Sequence, residues 1–234
     1  MKRGAVKSTL VIGGLLLMAG AAEAQRADDA RGFVGVSLVA ADAVGDLGFL
    51  VDQGFGLEVA AGAPMTEDGH LRVRGDVGVI VYGYERLSYC GITCRAGSDL
   101  TTTNSILFGG IGPEVVFATG KVEPYVHASA GLSYFVTMSS VDDNDGYGSY
   151  NETTNLSDLV FGVKYGGGVR FQVGGHHRPI YLDFGIDRHD NGIANFLTRG
   201  DIEDHPDGSV TIFPNRSEAN LVTFRFGVSI GLPH

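Results

Sequence analysis

Residues 104–138, NSILFGGIGPEVVFATGKVEPYVHASAGLSYFVTM, decide the fold, because two long alternating runs meet there at Gly120. In both runs, apolar side chains alternate with polar or small ones, and a period of two is typical of a β-strand. Each run exceeds about 12 residues, whereas an ordinary strand has about 5–6 and a tilted membrane-crossing strand needs about 9–11. The length of the runs therefore favours a membrane barrel.

The whole chain repeats this pattern. Eight alternating runs lie at 31–40, 53–62, 70–85, 102–118, 123–139, 157–173, 180–187 and 219–230. Short links at 64–69, 119–122 and 174–179 alternate with long links at 41–52, 86–101, 140–156 and 188–218. Transmembrane barrels have short periplasmic turns and longer outer loops. The sequence therefore predicts an all-β protein, an eight-stranded antiparallel up-and-down transmembrane β-barrel with both termini in the periplasm.

Alternation alone does not say which face points outward, so a soluble secreted barrel or sandwich is the alternative. Two features favour the membrane barrel. The polar face is rich in Gly and Ser, which suits the narrow interior of an eight-stranded barrel. The apolar face is almost unbroken, and Lys164 is the one lysine at a mid-strand position.

Residues 1–24 have the pattern of a secretory signal. A basic start and an apolar stretch at 10–19 precede Ala22-Glu23-Ala24, a small-x-small cleavage pattern. An uncleaved transmembrane helix, the alternative, would need about 20 apolar residues. We expect cleavage, which leaves 25–234 as one outer-membrane barrel domain. Removing three basic residues and Glu23 from 17 basic and 27 acidic ones gives a formal charge of −12, which argues against nucleic-acid binding.

Several segments carry a family resemblance. They are IGPEVVF at 111–117, KVEPYV at 121–126, AGLSY at 130–134, YGGGVRF at 165–171 and LVTFRFGV at 221–228. With these segments the chain resembles the small OmpA-like class of bacterial outer-membrane β-barrels. The resemblance implies a place in the cell outer membrane, contact with outer-membrane lipids and lipopolysaccharide, and insertion by the outer-membrane assembly machinery. It also implies aromatic side chains at the membrane interfaces, for which Phe117, Tyr134, Phe161 and Phe171 are the candidates.

Cys90 and Cys94 lie in the second long link. Two cysteines of an exported protein usually pair, and a metal site would need further ligands close in sequence. We therefore predict a disulfide between them.

The third long link holds an acidic cluster. Asp142, Asp143 and Asp145 with Glu152 suggest a calcium loop, but Val141 occupies its first position. A solvated acidic loop is therefore the alternative to a cation site, and we predict no other metal and no cofactor.

His127 and Ser129 share one side of a strand, at a spacing that some outer-membrane lipid-modifying enzymes use. In the barrel both side chains point into the lumen near its periplasmic end, whereas a lipid substrate lies outside. Polar filler is therefore the preferred interpretation, and we predict no catalytic residue.

Ten charged side chains fall on the inward face. Five are basic and five acidic: Glu58, Arg72, Arg74, Asp76, Glu114, Lys164, Arg170, Asp183, Asp187 and Arg225. Charges in a confined interior are costly unless paired, so we predict a paired network that plugs the lumen. The expected function is that of a non-enzymatic, monomeric outer-membrane barrel with a structural or surface-interaction role, whose four exposed loops offer the contact to an extracellular partner. The alternatives are a porin-like narrow pore for small solutes and, third, a lipid-modifying enzyme.

Overall fold

The computed structural model describes residues 30–51, 53–90, 97–143, 151–175, 178–198, 200–204 and 210–233. The long strands are β1 (Ala30–Val44), β2 (Gln53–Pro64), β3 (Leu71–Cys90), β4 (Gly97–Val116), β5 (Val122–Asp143), β6 (Asn151–Gly174), β7 (Ile180–Asn191) and β12 (Asn220–Pro233). Four short strands, β8 (Ile193–Phe196), β9 (Ile202–Asp204), β10 (Val210–Ile212) and β11 (Asn215–Glu218), lie in the last link. The signal peptide predicted at 1–24 lies outside the described residues.

The eight long strands close into an antiparallel barrel. Each strand pairs with the next long strand along the chain, and β12 returns to pair with β1 from Ala30↔Pro233 to Val44↔Asn220. This closure confirms the predicted eight-stranded up-and-down barrel. We call the end with the three short turns the turn end, and the opposite end, with the long links, the loop end.

The long links are shorter than the sequence predicts. β3 and β4 pair as far as Cys90↔Gly97, and β5 and β6 as far as Val141↔Asn151. The predicted extents of the links at 86–101 and 140–156 are therefore wrong. The missed strand ends at 97–101 and 151–156 are mostly polar and carry too few apolar residues to extend the alternation that identified the other strands.

The last link is not a plain loop either. Within it β8 pairs with β11, and β9 pairs with β10. A 3₁₀ turn at Leu47–Phe49 in the first link buries Leu47, which is 1% exposed. Parts of two long links therefore fold back onto the barrel.

The two faces of the barrel wall differ sharply. Outward side chains are large and apolar, and Leu38, Phe161 and Phe226 are 62%, 62% and 48% exposed. Inward side chains are buried, and at the turn end and in the middle most of them are polar or charged. This arrangement is the reverse of a soluble barrel, in which the apolar face fills the core.

The interior is layered along the barrel axis. Arg72, Glu114 and Arg170 lie at the turn end, whereas Ile80, Ile106 and Phe135 lie towards the loop end. Among the described residues, no helix is long and apolar enough to cross a membrane.

Candidate functional site in the barrel interior

The candidate site is the set of charged side chains inside the barrel. The structure turns all ten residues of the predicted set inward, and each is at most 6% exposed. Alternation explains their placement, because residues two apart on one strand, such as Arg72, Arg74 and Asp76, share a face. Glycines on neighbouring strands make room for them: a Cβ at Gly185 would lie 2.5 Å from Nη2 of Arg225.

Glu114 and Arg170 form the centre of the turn-end layer, and both are fully buried. Nη1 and Nη2 of Arg170 donate to the two carboxylate oxygens of Glu114 at 2.9 and 2.7 Å. The guanidinium also lies between two rings, 3.8 Å from the centroid of Phe33 and 4.0 Å from that of Tyr125. Such a bidentate, stacked arrangement is the strongest form of a buried arginine contact.

Two more arginines hold the same carboxylate. Nη1 of Arg74 donates to Oε2 of Glu114 at 3.1 Å, and Nη1 of Arg72 lies 3.5 Å from Oε1. Arg74 also reaches Glu58, with Nη2 at 3.0 Å from Oε1. Glu114 is therefore shared by three cations and links β3, β4 and β6.

Lys164 joins the network from the opposite wall. Its Nζ donates to Glu58 at 2.7 Å and to Asp76 at 2.8 Å. Glu58 and Lys164 are 106 residues apart in sequence. This contact crosses the lumen, so the network connects strands that are not neighbours in the wall.

Asp187 collects the remaining groups. It accepts from Nε2 of His127 at 2.9 Å and from Nε of Arg225. Next to this pair, Tyr125 donates through its hydroxyl to Asp183 at 2.7 Å, and Asp183 also accepts from Nε of Arg170 at 3.2 Å. The turn-end and middle layers thus form one continuous set of ion pairs and hydrogen bonds.

Glu123, Tyr125 and Tyr181 also belong to this network, although the predicted set does not include them. Glu123 lies 3.5 Å from Arg72 and accepts from the hydroxyl of Tyr181 at 3.2 Å. The sequence could have identified two of them, because Glu123 and Tyr125 lie four and two residues before His127 on the same strand, and side-chain alternation places His127 in the lumen.

A small cavity lies above the network, towards the loop end. It has a volume of about 20 Å³, and Lys164, His189, Asn191 and Ser133 contribute to its lining. A cavity needs roughly 10–15 Å³ by this measure to hold one water. The space therefore admits about one water molecule and provides no continuous channel.

Above the cavity the interior becomes apolar. Ile80, Ile106, Phe135 and other buried side chains form a cluster that includes Phe196 of β8, which is 1% exposed. The hydroxyl of Tyr82 donates to the carbonyl of Leu197 at 3.4 Å. This apolar cluster closes the loop end, so the charged network does not extend over the full length of the barrel.

The other predicted sites fall partly or wholly outside the described residues. Cys94 and Asp145 lie outside them, and so do the side chains of Cys90, Asp142, Asp143 and Glu152. The backbone of Asp142 and Asp143 belongs to β5 and that of Glu152 to β6, so three of the four predicted cation ligands lie on strands instead of a loop. Within the described part of the chain, no group of three His, Cys, Asp or Glu side chains is arranged to hold a metal ion.

His127 and Ser129 are both buried in the interior, 5% and 4% exposed. His127 contacts Asp187 and lies 3.4 Å from Nη2 of Arg225. This position inside the wall separates the imidazole from the outer surface of the barrel.

No family model matches the chain, and no curated protein matches it. Solved structures with a similar fold include Ail, the attachment invasion locus protein of Yersinia pestis, at 12% identity and a TM-score of 0.45, covering 85% of this chain and 96% of that one. Neisserial surface protein A has 16% identity, a TM-score of 0.38 and coverages of 87% and 97%. A major outer membrane protein from Thermus thermophilus has 14% identity, a TM-score of 0.41 and coverages of 85% and 98%.

These similarities concern the fold alone. The closed eight-stranded antiparallel sheet of this chain agrees, at the level of the fold, with the predicted resemblance to small outer-membrane β-barrels.

Proposed function

We propose that the protein is a non-enzymatic integral protein of the bacterial outer membrane, with a closed lumen and a loop end that contacts molecules outside the cell. The observation that carries this proposal is the inverted barrel, with apolar side chains outside and paired charges inside. An outward apolar face of this extent is stable in lipid, and in water it would be a large exposed hydrophobic patch. We further propose export by a cleaved signal peptide and a monomeric barrel.

The aromatic residues support a membrane location. Phe117, Tyr134, Phe161 and Phe171 are all outward and at least 37% exposed. Aromatic side chains concentrate where the hydrocarbon region meets the headgroups. In this proposal they contact outer-membrane lipids and lipopolysaccharide.

The filled lumen favours a closed barrel and not a pore. The ion-pair network fills the turn end and the middle, and the apolar cluster around Phe135 and Phe196 fills the loop end. The ion-pair network and the apolar cluster therefore block the lumen one after the other along the barrel axis. The inward position of His127 also supports a non-enzymatic function, because a lipid substrate outside the wall does not reach it.

The projecting strands support a role in surface contacts. From Gly83 to Cys90, β3 pairs with β4 beyond the last residue that pairs with β2. β6 pairs with β5 from Asn151 to Phe161, before its pairing with β7 begins at Gly162. Strands β3 to β6 thus form a four-stranded sheet that extends past the other half of the barrel, and such a sheet offers a broad surface to a partner.

Two measurements test the membrane and lumen parts of the proposal. The protein should fractionate with outer membranes, and its electrophoretic mobility should change on boiling. In planar bilayers the wild type should show little or no single-channel conductance. A freely soluble protein with unchanged mobility would contradict the membrane barrel, and large, steady, ion-selective conductance would favour the pore.

Proteolysis of intact cells tests the surface part. A protease added outside should cut at 91–96, which connect β3 to β4, or at 144–150, which connect β5 to β6. A periplasmic marker protein serves as the control for intact membranes. Cleavage of these links only after the outer membrane is permeabilised would contradict the proposed orientation.

A further inference from the structure

Three polar side chains interrupt the outward apolar face on β6 and β7. Arg188 donates through Nε to Oδ1 of Asp190 at 2.6 Å, and Tyr165 donates through its hydroxyl to Oδ2 at 2.9 Å. The strands place them together, because Tyr165 pairs with Arg188 across the β6–β7 ladder. All three are outward, and Arg188 is 42% exposed.

Their surroundings are apolar. Phe161, Val163 and Ile186 lie on the same outward face and are 62%, 36% and 50% exposed. A charged side chain on the lipid face costs about 2–4 kcal/mol at the bilayer midplane but about 0–1 kcal/mol near an interface. The height of the cluster therefore decides whether it can be tolerated in a membrane.

The height follows from the strand geometry. Arg188 lies eight residues after Ile180, the first residue of β7 at the turn end. At about 3.3 Å per residue this is roughly 26 Å along the strand, or about 20 Å along the axis of a barrel whose strands tilt by about 40°. The apolar band of such barrels is about 25 Å tall. With the inner edge of this band at the level of Ile180, the cluster lies within about 5 Å of its outer edge, close to the level of the lipid headgroups.

The guanidinium of Arg188 is held in one orientation, but not all of its N–H donors make hydrogen bonds. Its Nε is held by Asp190, and both carboxylate oxygens of Asp190 already accept a hydrogen bond. Within the part of the chain that the structure describes, Nη1 and Nη2 of Arg188 have no hydrogen-bond partner. An arginine held at Nε keeps these two groups free to bind a phosphate in the two-pronged manner that suits this side chain.

We propose that Arg188, oriented by Asp190 and Tyr165, binds the phosphate group of a lipid in the outer leaflet. The site rests on the proposed outer-membrane location and gives that location a specific lipid contact. The lipid is the source of the phosphate, because the cluster is surrounded by apolar side chains that pack against acyl chains. Tyr165 fits the same level, since tyrosine favours the interface between hydrocarbon and headgroups.

The test uses the mature barrel, refolded in detergent and mixed with equal amounts of phosphatidic acid and phosphatidylcholine. Native mass spectrometry then counts the bound lipids. Phosphatidic acid serves as the probe because its headgroup is a phosphate monoester. The wild type should retain phosphatidic acid in preference, and Arg188→Gln should weaken this preference by about tenfold, the lower range for a hydrogen bond to a charged group.

The matched control is Arg178→Gln, the same substitution at an exposed arginine of the short turn before β7. It should retain the wild-type preference. The proposal is wrong if Arg188→Gln still retains phosphatidic acid in preference to phosphatidylcholine, or if Arg178→Gln loses this preference to the same extent. It is also wrong if inorganic phosphate, added at the same concentration as phosphatidic acid, displaces the bound lipid.

The mobility shift on boiling is measured on each sample. A variant that lacks the shift is replaced by Arg188→Lys, which keeps the charge but not the two-pronged geometry and should bind phosphatidic acid more weakly than the wild type. A wild type that never shows the shift would contradict the proposed membrane barrel. A wild type that shows it but has no lipid preference would contradict only the phosphate site.

Discussion

Arg170→Met tests most directly whether the buried ion pairs stabilise the barrel. Methionine keeps an unbranched side chain between the rings of Phe33 and Tyr125 but removes the charge that Glu114 and Asp183 share. Breaking a buried pair on one side costs about 3–5 kcal/mol, because the other charge remains buried. Glu114 keeps Arg74 at 3.1 Å and Arg72 at 3.5 Å, so we expect a loss near 3 kcal/mol.

A double variant separates the charge effect from the packing effect. Adding Glu114→Gln to Arg170→Met removes the uncompensated carboxylate, while Arg74 retains Glu58 at 3.0 Å and Arg72 retains Glu123 at 3.5 Å. The double variant should therefore be more stable than the sum of the two single changes predicts, by about 0.5–3 kcal/mol. The control Arg178→Met changes an exposed turn residue and should lie within about 0.5 kcal/mol of the wild type.

The assay is urea unfolding in lipid vesicles, followed by circular dichroism and by mobility on gels, because the chain contains no tryptophan. The free energy of unfolding is compared for five proteins: the wild type, Arg170→Met, Glu114→Gln, the double variant and Arg178→Met. If Arg170→Met unfolds with the same free energy as Arg178→Met, the buried pairs do not stabilise the fold. Additive losses in the double variant would mean that Arg170 acts by packing and not by charge.

Four further results are expected. Phe226→Arg should destabilise the vesicle-inserted barrel by about 2–4 kcal/mol, and an unchanged unfolding midpoint would mean that this face does not meet lipid. Phe196→Ala should cost about 3–5 kcal/mol by opening a cavity in the apolar cluster, and it should leave conductance low if the charged network alone seals the lumen. Calcium or magnesium should protect the third and fourth long links, predicted at 140–156 and 188–218, from protease, because divalent cations would bridge their carboxylates to lipopolysaccharide phosphates, and identical cleavage with a chelator would contradict this. Hydrogen bonds from Thr66 and from the backbone amide of His70 hold the pKa of Asp68 below its ordinary value, so this turn should loosen as the pH falls through that lowered pKa. The protection factor of the His70 amide, which compares its exchange with that of an unstructured peptide at the same pH, should fall with it, and Asp68→Asn should remove this change.

The fold could be predicted from the sequence because its signals are local. Side-chain alternation identifies a strand whatever it pairs with, and the alternation of short and long links gives the up-and-down order. The prediction failed at the tips of β3 to β6, where residues such as Thr101 and Ser140 pair beyond the apolar band of the proposed membrane barrel and need no apolar outward face. Strand pairing there is decided by the continuing ladder and not by hydrophobicity.

The candidate site could be predicted only in part. Side-chain alternation assigned Glu114 and Arg170 to the interior. It shows on which face of the sheet a side chain lies, but neither its position along the barrel axis nor the residue that it contacts. The contact between Lys164 and Glu58 exists because the closed sheet brings opposite walls within the length of a side chain. For the same reason, the sequence did not show that Glu114 is shared by three arginines.

The sequence by itself determined the central runs of the eight long strands, their order and which of their side chains face inward, because these depend on a period of two and on link length. Only the tertiary structure decided the layers of the interior, the apolar cluster that Phe196 completes, and the meeting of Tyr165, Arg188 and Asp190 on the outer face. All three depend on register and closure, which fix how far along the barrel axis each residue lies. A shift in register would leave every alternation pattern recognisable in the sequence and would still separate these contacts.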